Sequence, residues 1–540
     1  MKKWVPLGLL SAAMFIIVID TTIMNVSISA LIEDLDTTVS GVQGAISLYA
    51  LVMASFILIG GKLADIIGKR RTFTLGLVIF GIGTTTASFA TNLTMLIIGW
   101  SIIEGLGSAL MLPNTQTLLR AEYDGKERAL GYGVVSAVAA AGAAVGPIVG
   151  GYLTTEASWR WAFRLEVVVV IAVLALVHNL QPDPAVEERP RFDFVGASLS
   201  ITGLAGVVLS ILLGQTYGFW LAEQPFELGG LEIAPFGLSV VPFMFGIGAL
   251  LLLALFRWEA HLESTGGSGL FRPSVFAIGG LLTGFWVRFA QMAINAAFLF
   301  GLPLLVQLTF GFSAIKTGLF LLPFSIAVLV FAIGGARLSS RFSAKGIIQV
   351  GFIVVIAGLG LMIATIQVDS GPEELSYGIV FGAGVGLIAS QILNLNLSSG
   401  SDDQTPEIAG INGTFEQLGN ALGVAIIGTI MLGTLTAGLN QSIASSEALP
   451  DAAVAPLEQA VDEGVELMSD AQLEAGLDAA GVDDATRVEI KRIYGDERVR
   501  AFRAGMLFIA LLAVGALIVS TGLSSRKLVD AEEAEPADQR

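Results

Sequence analysis

The 540-residue chain has no cysteine, which excludes disulfides and thiolate metal sites. It has only two histidines, His178 and His261. Both fall at the ends of apolar runs, facing water or headgroups, so no histidine-based catalytic or metal cluster can be assembled. Charge is also scarce: 14% of residues are Asp, Glu, Lys or Arg, against ~25% in soluble proteins. No nucleophile–base pair lies within the apolar runs, so neither an intramembrane enzyme nor a cofactor is expected. The net charge of −17 argues against a nucleic-acid partner.

Apolar residues dominate: 54% of the chain is hydrophobic and the mean hydropathy is +0.77. Separate runs of roughly 18 to 25 apolar residues fit helices that each cross a bilayer, not the ~10-residue alternating strands of a barrel. The spans are expected at 5–31, 41–60, 73–90, 95–119, 129–153, 162–180, 194–214, 239–256, 275–308, 315–334, 347–367, 375–397, 409–433 and 503–523. The first run carries Asp20, is too long for a signal-peptide core and lacks a cleavage site, so it reads as a span. Loops 61–72, 120–128, 181–193, 257–272 and 335–346 each hold at least two cations, while 32–40, 91–94, 215–238 and 368–374 hold none. The basic loops belong on the cytoplasmic side, as do both termini, in a cell (plasma) membrane. Two loops fit less well. Loop 398–408 carries Asp402, Asp403 and Glu407 without a cation, and 154–161 carries Arg160 on the far side.

GGKLADIIGKRR (60–71) joins two spans, and GGARLSSRFSAK (334–345) echoes it, with Ser340 at the place of Asp65 and Ser343 at that of Gly68. The echo implies two six-span units with spans 7 and 8 inserted between them. The expected divisions are an N-terminal bundle 1–180, a linker with two extra spans 181–270, and a C-terminal bundle 271–540. In such parallel repeats the substrate site lies between the halves. Segment 434–500 is acidic and extracytoplasmic, a small helical hairpin over the outer mouth or a mobile loop, with a cap at Asp483 or Asp484. The acidic tail 524–540 is expected to be disordered. The excess of carboxylates fits a protein of a high-salt organism.

Ionisable residues inside spans are costly and are functional candidates by default. Four stand out, Asp20, Glu104, Arg288 and Glu416, and all four are expected to face one central cavity. Aromatic and amide side chains suited to bulky, partly apolar ligands are Asn25, Phe285, Trp286, Phe289 and Asn295, with Phe298, Gln391, Asn394 and Asn396.

The pattern G-x-L-A-D-x-x-G-(K/R)-(K/R) resembles the signature loop of the major facilitator superfamily. IDTTIMNVSIS around Asp20 is similar to the first-span motif of its fourteen-span drug:proton antiporters. Gly142, Gly146, Pro147, Gly150 and Gly151 follow the antiporter motif of its exporters. SWRWAFR (158–164), RFDFVGASL (191–199) and PLLVQLTFGFSAIKTGLFLLP (303–323) extend the likeness. Span 4 departs from the pattern: Ser101 stands where an arginine is usual and Glu104 where a glutamine is.

The resemblance implies an all-α major facilitator fold of fourteen transmembrane helices and proton-coupled export of hydrophobic or amphipathic compounds by alternating access. It assigns proton coupling to Asp20 and a conformational latch to Gly61, Asp65, Gly68, Lys69, Arg70 and Arg71; the other charges inside spans, Glu104, Arg288 and Glu416, are expected to modulate the coupling. Sodium stays open as the coupling ion. An importer or facilitator of a polar solute, or a non-transporting lipid-handling scaffold, also stays open. Membrane lipid is an expected partner and a monomer the expected state.

Overall fold

The computed structural model of the protein describes residues 2–183, 190–222, 224–228, 231–233, 237–366, 376–401, 404–462 and 464–525. The expected loop 368–374, Asp402, Asp403 and the tail beyond 525 lie outside the described residues.

Long helices account for nearly all of the architecture. In the first part of the chain they are α1 (Val5–Val26), the short α2 (Ile28–Asp34), α3 (Val39–Ile67) and α4 (Lys69–Ser88). Next come the short α5 (Leu93–Leu96), a π-helical stretch (Ile97–Glu104), α6 (Gly105–Glu122), α7 (Gly125–Glu156) and α8 (Arg160–Leu176). Then follow α9 (Phe194–Tyr217) and α10 (Val240–Ser264). The last part holds α11 (Leu281–Phe310), α12 (Ala314–Leu338), α13 (Ala344–Thr365), α14 (Gly378–Leu397) and α15 (Thr405–Ala444), then α16 (Asp451–Asp462), α17 (Asp470–Ala479) and α18 (Asp484–Val519).

Among the described residues, thirteen helices are long and apolar enough to cross a membrane. α4 is not among them: Lys69, Arg70 and Arg71 occupy its first turn and threonines dilute its apolar run, yet it packs with α6 and α8 in the same bundle. Between α9 and α10 a short antiparallel ladder pairs Phe226–Leu228 with Leu231–Ile233.

The helices start where the sequence offers caps. Thr38, Asp193, Ser239, Ser343 and Asp483 each accept a backbone N–H two or three residues on. α11 is bounded by Gly280 and Gly311, both left-handed, a conformation glycine adopts without Cβ strain.

Burial sorts the helices. In α11, 72% of the apolar window is buried, against 17% in α10, so α11 is central and α10 presents its apolar surface outward. The second helix of each proposed unit packs on the fifth of the other: α3 on α15, and α12 on α7. α1 meets α11, and α9 rests on α3 and α15.

Segment 434–500 is helical in large part. α15 and α18 extend beyond their apolar runs, and α16 and α17 lie between them. Leu473 and Leu477 of α17 are buried, Tyr494 donates to Glu466 O (2.7 Å), and Arg498 pairs with Asp470 (2.8 Å).

The two charge anomalies have local causes. Arg160 pairs with Asp34 (2.5 Å) and donates to Ala90 O, so its charge is neutralised at the end where cations were not expected. Glu407 pairs with Arg272 (2.8 Å), which brings a cation to the acidic loop.

Candidate functional site: a buried carboxyl cluster

The span expected at 95–119 lies within Leu93–Glu122, whose middle is π-helical, and such wider turns often mark functional sites. This stretch carries Trp100 and Glu104, both buried. Gly83 of α4 lets the π stretch come close: a Cβ there would lie 2.7 Å from Glu104 Cα. Trp100 Nε1 donates to both oxygens of Asp20 on α1 (3.0 and 2.9 Å), and its ring stacks on Tyr49 of α3 at 5.1 Å. Tyr49 O–H shares a hydrogen bond with Ser108 (2.9 Å).

A third carboxyl completes the cluster. Glu166 of α8 accepts from Thr84 Oγ1 (2.9 Å), and carboxyl oxygens of Asp20, Glu104 and Glu166 lie within 4.8 Å of one another. All three residues are at most 3% exposed. Among the described residues, no lysine or arginine forms an ion pair with any of them. Two carboxylates ~5 Å apart repel by about 3 kcal/mol at an effective dielectric constant of ~20. The three cannot all stay ionised unless another cation enters the cluster; otherwise they must take up protons. Sequence reading missed Glu166, although it is an ionisable residue inside a span, the same signal that pointed to Glu104. It also missed Trp100 and Tyr49, whose roles depend on tertiary placement.

The other two expected charges form a separate pair. Arg288 of α11 holds Glu416 of α15 through Nη2 (2.6 Å) and Nε (3.2 Å), and donates to Gln291 through Nη1 (2.8 Å). Gly419 and Gly423 bring these helices together, against the carbonyls of Phe289 and Ala293. Among the described residues no hydrogen bond or ion pair joins this pair to the Asp20 cluster, so Arg288 is not the counter-ion of Asp20 or Glu104.

The expected loop 61–72 shrinks to a single residue. α3 runs to Ile67, α4 begins at Lys69, and Gly68 between them has φ 104°. The cap of α4 comes from elsewhere in the chain: Asp183 accepts from the N–H of Arg70 (2.9 Å) and Arg71 (3.2 Å), while the Arg70 side chain donates to Leu180 O. At the echo, Ser343 caps α13 from within its own turn. Gly61, Asp65 and Lys69 line a cavity of about 440 Å3 at this basic end, together with Arg120, the loop 267–272 and Glu407.

The glycine motif of α7 faces two ways. Gly142, Gly146 and Gly150 lie against Phe15, Val18, Thr22 and Ile23 of α1, whereas Gly151 meets the Ala314 carbonyl and Pro147 O meets Gly318, both on α12. Between α3 and α15, Gln43 donates to Val424 O (3.1 Å) and Ala425 O (2.9 Å).

None of the nine expected substrate contacts lines the 440 Å3 cavity. Phe298 stacks on Phe381, Gln391 donates to Gly335 O, and Asn396 donates to Asn412, all in the packed interior. Phe285 stacks on Phe415, and Trp286 packs edge-on to Phe289 and Phe415 while half-exposed. Asn25 and Asn295 are half-buried, and Asn394 is exposed.

The family model described as Major Facilitator Superfamily matches residues 10–424. The chain belongs to the major facilitator superfamily. Its curated relatives include the probable actinorhodin transporter of Streptomyces coelicolor, 29% identical over 82% of this chain and 75% of that one. The multidrug transporter protein MdtP of Bacillus subtilis is 27% identical over 97% of this chain and 94% of that one. Among solved structures, an inward-facing, unoccupied bacterial homolog of the human lysosomal transporter Spinster matches with a TM-score of 0.60 at 13% identity, covering 97% of this chain and 98% of that one. A D-xylose–proton symporter matches with a TM-score of 0.53 at 13% identity, over 79% and 90%. These likenesses fit the superfamily's all-helical membrane fold.

Proposed function

We propose that this superfamily member is a secondary transporter that exports hydrophobic or amphipathic compounds by alternating access, driven by protons moving inward across the cell membrane. The observation that carries the reading is the buried cluster of Asp20, Glu104 and Glu166, which accommodates its charge only by taking up cations. The names of the curated relatives support the direction and the substrate class.

The functional halves are residues 1–180 and 271–540, with 181–270 supplying α9 and α10, and the transporter acts as a monomer. Both termini and the basic ends of α3 and α4 face the cytoplasm, in keeping with the positive-inside rule. The arrangement is then inward-facing: the halves meet through Gly151, Gly318, Gln43 and Gln307 at the outer side, while the 440 Å3 cavity lies at the cytoplasmic side. Loading of the carboxyls changes which side the halves open to. Arg288–Glu416 modulates the step from the second half, and the Gly61–Arg71 segment latches the alternative state. Trp286, Phe289 and Asn295 are the substrate contacts retained from the expected set.

Proteoliposomes with an imposed pH gradient and a fluorescent amphipathic dye test the reading. Dye movement that follows the gradient supports it; movement indifferent to the gradient refutes proton coupling.

A further inference from the structure

The hydrogen bonds of the bundle leave three oxygens of the carboxyl cluster without partners among the described residues: both oxygens of Glu104 and Oε1 of Glu166. Glu104 is fully buried. Such a group costs free energy unless something binds it. Trp100 N–H donates to both oxygens of Asp20, and Thr84 O–H donates to Glu166. Carboxylates this close call for a positive charge between them, and among the described residues no lysine or arginine supplies it. Tyr49 is the fourth titratable side chain facing the cluster; Thr84, Trp100 and Ser108 complete the polar surroundings.

The spacing suits a metal cation. One oxygen from each carboxyl lies within 4.8 Å of the others, so a single cation between them would meet all three. Calcium takes about six to eight oxygens, more than three carboxyls with committed hydrogen bonds can offer, and magnesium retains water.

We infer that Asp20, Glu104 and Glu166 form a binding site for a single dehydrated alkali cation of sodium size, for which protons compete. The cluster then takes either ion, and the balance of sodium and protons sets its charge. The inference concerns the cluster on which the export reading rests, and the two are separable by experiment.

Thermal unfolding of the purified full-length protein at pH 8 tests it. NaCl raises the midpoint saturably, choline chloride at equal ionic strength does not, and the rise shrinks at pH 6. Glu104→Gln and Glu166→Gln lose the rise, while the exposed-site control Glu33→Gln keeps it. Should the glutamine variants fail to fold, the wild-type chain in weak buffer still decides, because added NaCl displaces protons that an indicator dye detects and choline chloride does not. Equal responses to sodium and choline, an unchanged sodium response in both folded glutamine variants, or a response to CaCl2 alone would overturn the inference. A protein that exports dye along a pH gradient but ignores sodium sinks this inference alone. One that binds sodium but moves no dye sinks the export reading alone.

Discussion

Gln307 of α11 donates to Val26 O at the end of α1 (2.9 Å) and accepts from the hydroxyl (2.6 Å) and N–H (3.2 Å) of Ser29 on α2. It is 5% exposed, so these bonds lie in a closed seam between the first helices of the two proposed halves. Gln307→Ala leaves buried groups unpaired, at a cost of about 1–3 kcal/mol that falls only on the state closed at this end. The expected outcome is a shift toward the state open there. Because the chain has no cysteine, Asn25→Cys gives a background-free probe. Its labelling by an impermeant maleimide should speed up ~10-fold in the Gln307→Ala variant, following a bias of ~1.4 kcal/mol. An unchanged rate would show that the seam does not hold this end closed.

The glycine contacts of α7 and α12 give a sharper steric test. A methyl group at Gly318 would collide with the Pro147 carbonyl, whereas one at Gly433 of α15 meets nothing within 4 Å. Gly318→Ala should abolish export and lower the thermal midpoint. Gly433→Ala should leave export intact and add up to ~1 kcal/mol of helix stability. Equal behaviour of the two variants in transport and melting would refute the packing argument.

Asp183 caps α4 across more than a hundred residues of sequence. Asp183→Ala should destabilise the Gly68 junction by ~1 kcal/mol, the usual cost of losing a cap. Hydrogen exchange of the amides at Arg70 and Arg71 reads this directly. Protection equal to that of the wild-type chain would mean that the cap contributes nothing.

Glu466, between α16 and α17, reaches Ser40 and Thr38 at the start of α3. Burial pushes its carboxyl above the usual range, and the hydrogen bonds from Ser40 and Thr38 only partly oppose this. A raised carboxyl favours the docked segment in its protonated form, so docking weakens as pH rises from the ordinary carboxyl value through the raised one. Limited proteolysis between 445 and 483 should therefore be faster at pH 8 than at pH 5. Glu466→Gln should remove the difference, and a difference that persists in this variant would place its origin elsewhere.

Much of the fold was legible in the chain. Hydropathy runs located the spans, because a bilayer requires apolar length whatever the tertiary packing. α4 was expected from its apolar run at 73–90, although as a whole helix, with Lys69, Arg70 and Arg71 in its first turn, it is less apolar than the other spans. Helix ends were read less well. α3 and α4 continue almost without a break through GGKLADIIGKRR, since only Gly68 departs from helix and its cap, Asp183, is distant in sequence. In the site, Asp20 and Glu104 were found as charges inside spans, and the structure brings them together. Arg288 was misjoined to them because sequence gives no angular register between helices. Glu166 was overlooked although it lies inside the expected span 162–180. Phe298, Gln391 and Asn396 were chosen by residue type, and type alone cannot separate an interior packing contact from one that lines a cavity.

The central claim is that the three buried carboxyls couple cation movement to export. It is tested most directly by dye export from proteoliposomes under an imposed pH gradient, comparing the wild-type chain with Asp20→Asn, Glu104→Gln and Glu166→Gln. The account predicts that each variant binds dye but loses gradient-driven export, with Asp20→Asn falling to the level of empty liposomes. Full gradient-driven export by Asp20→Asn would contradict it.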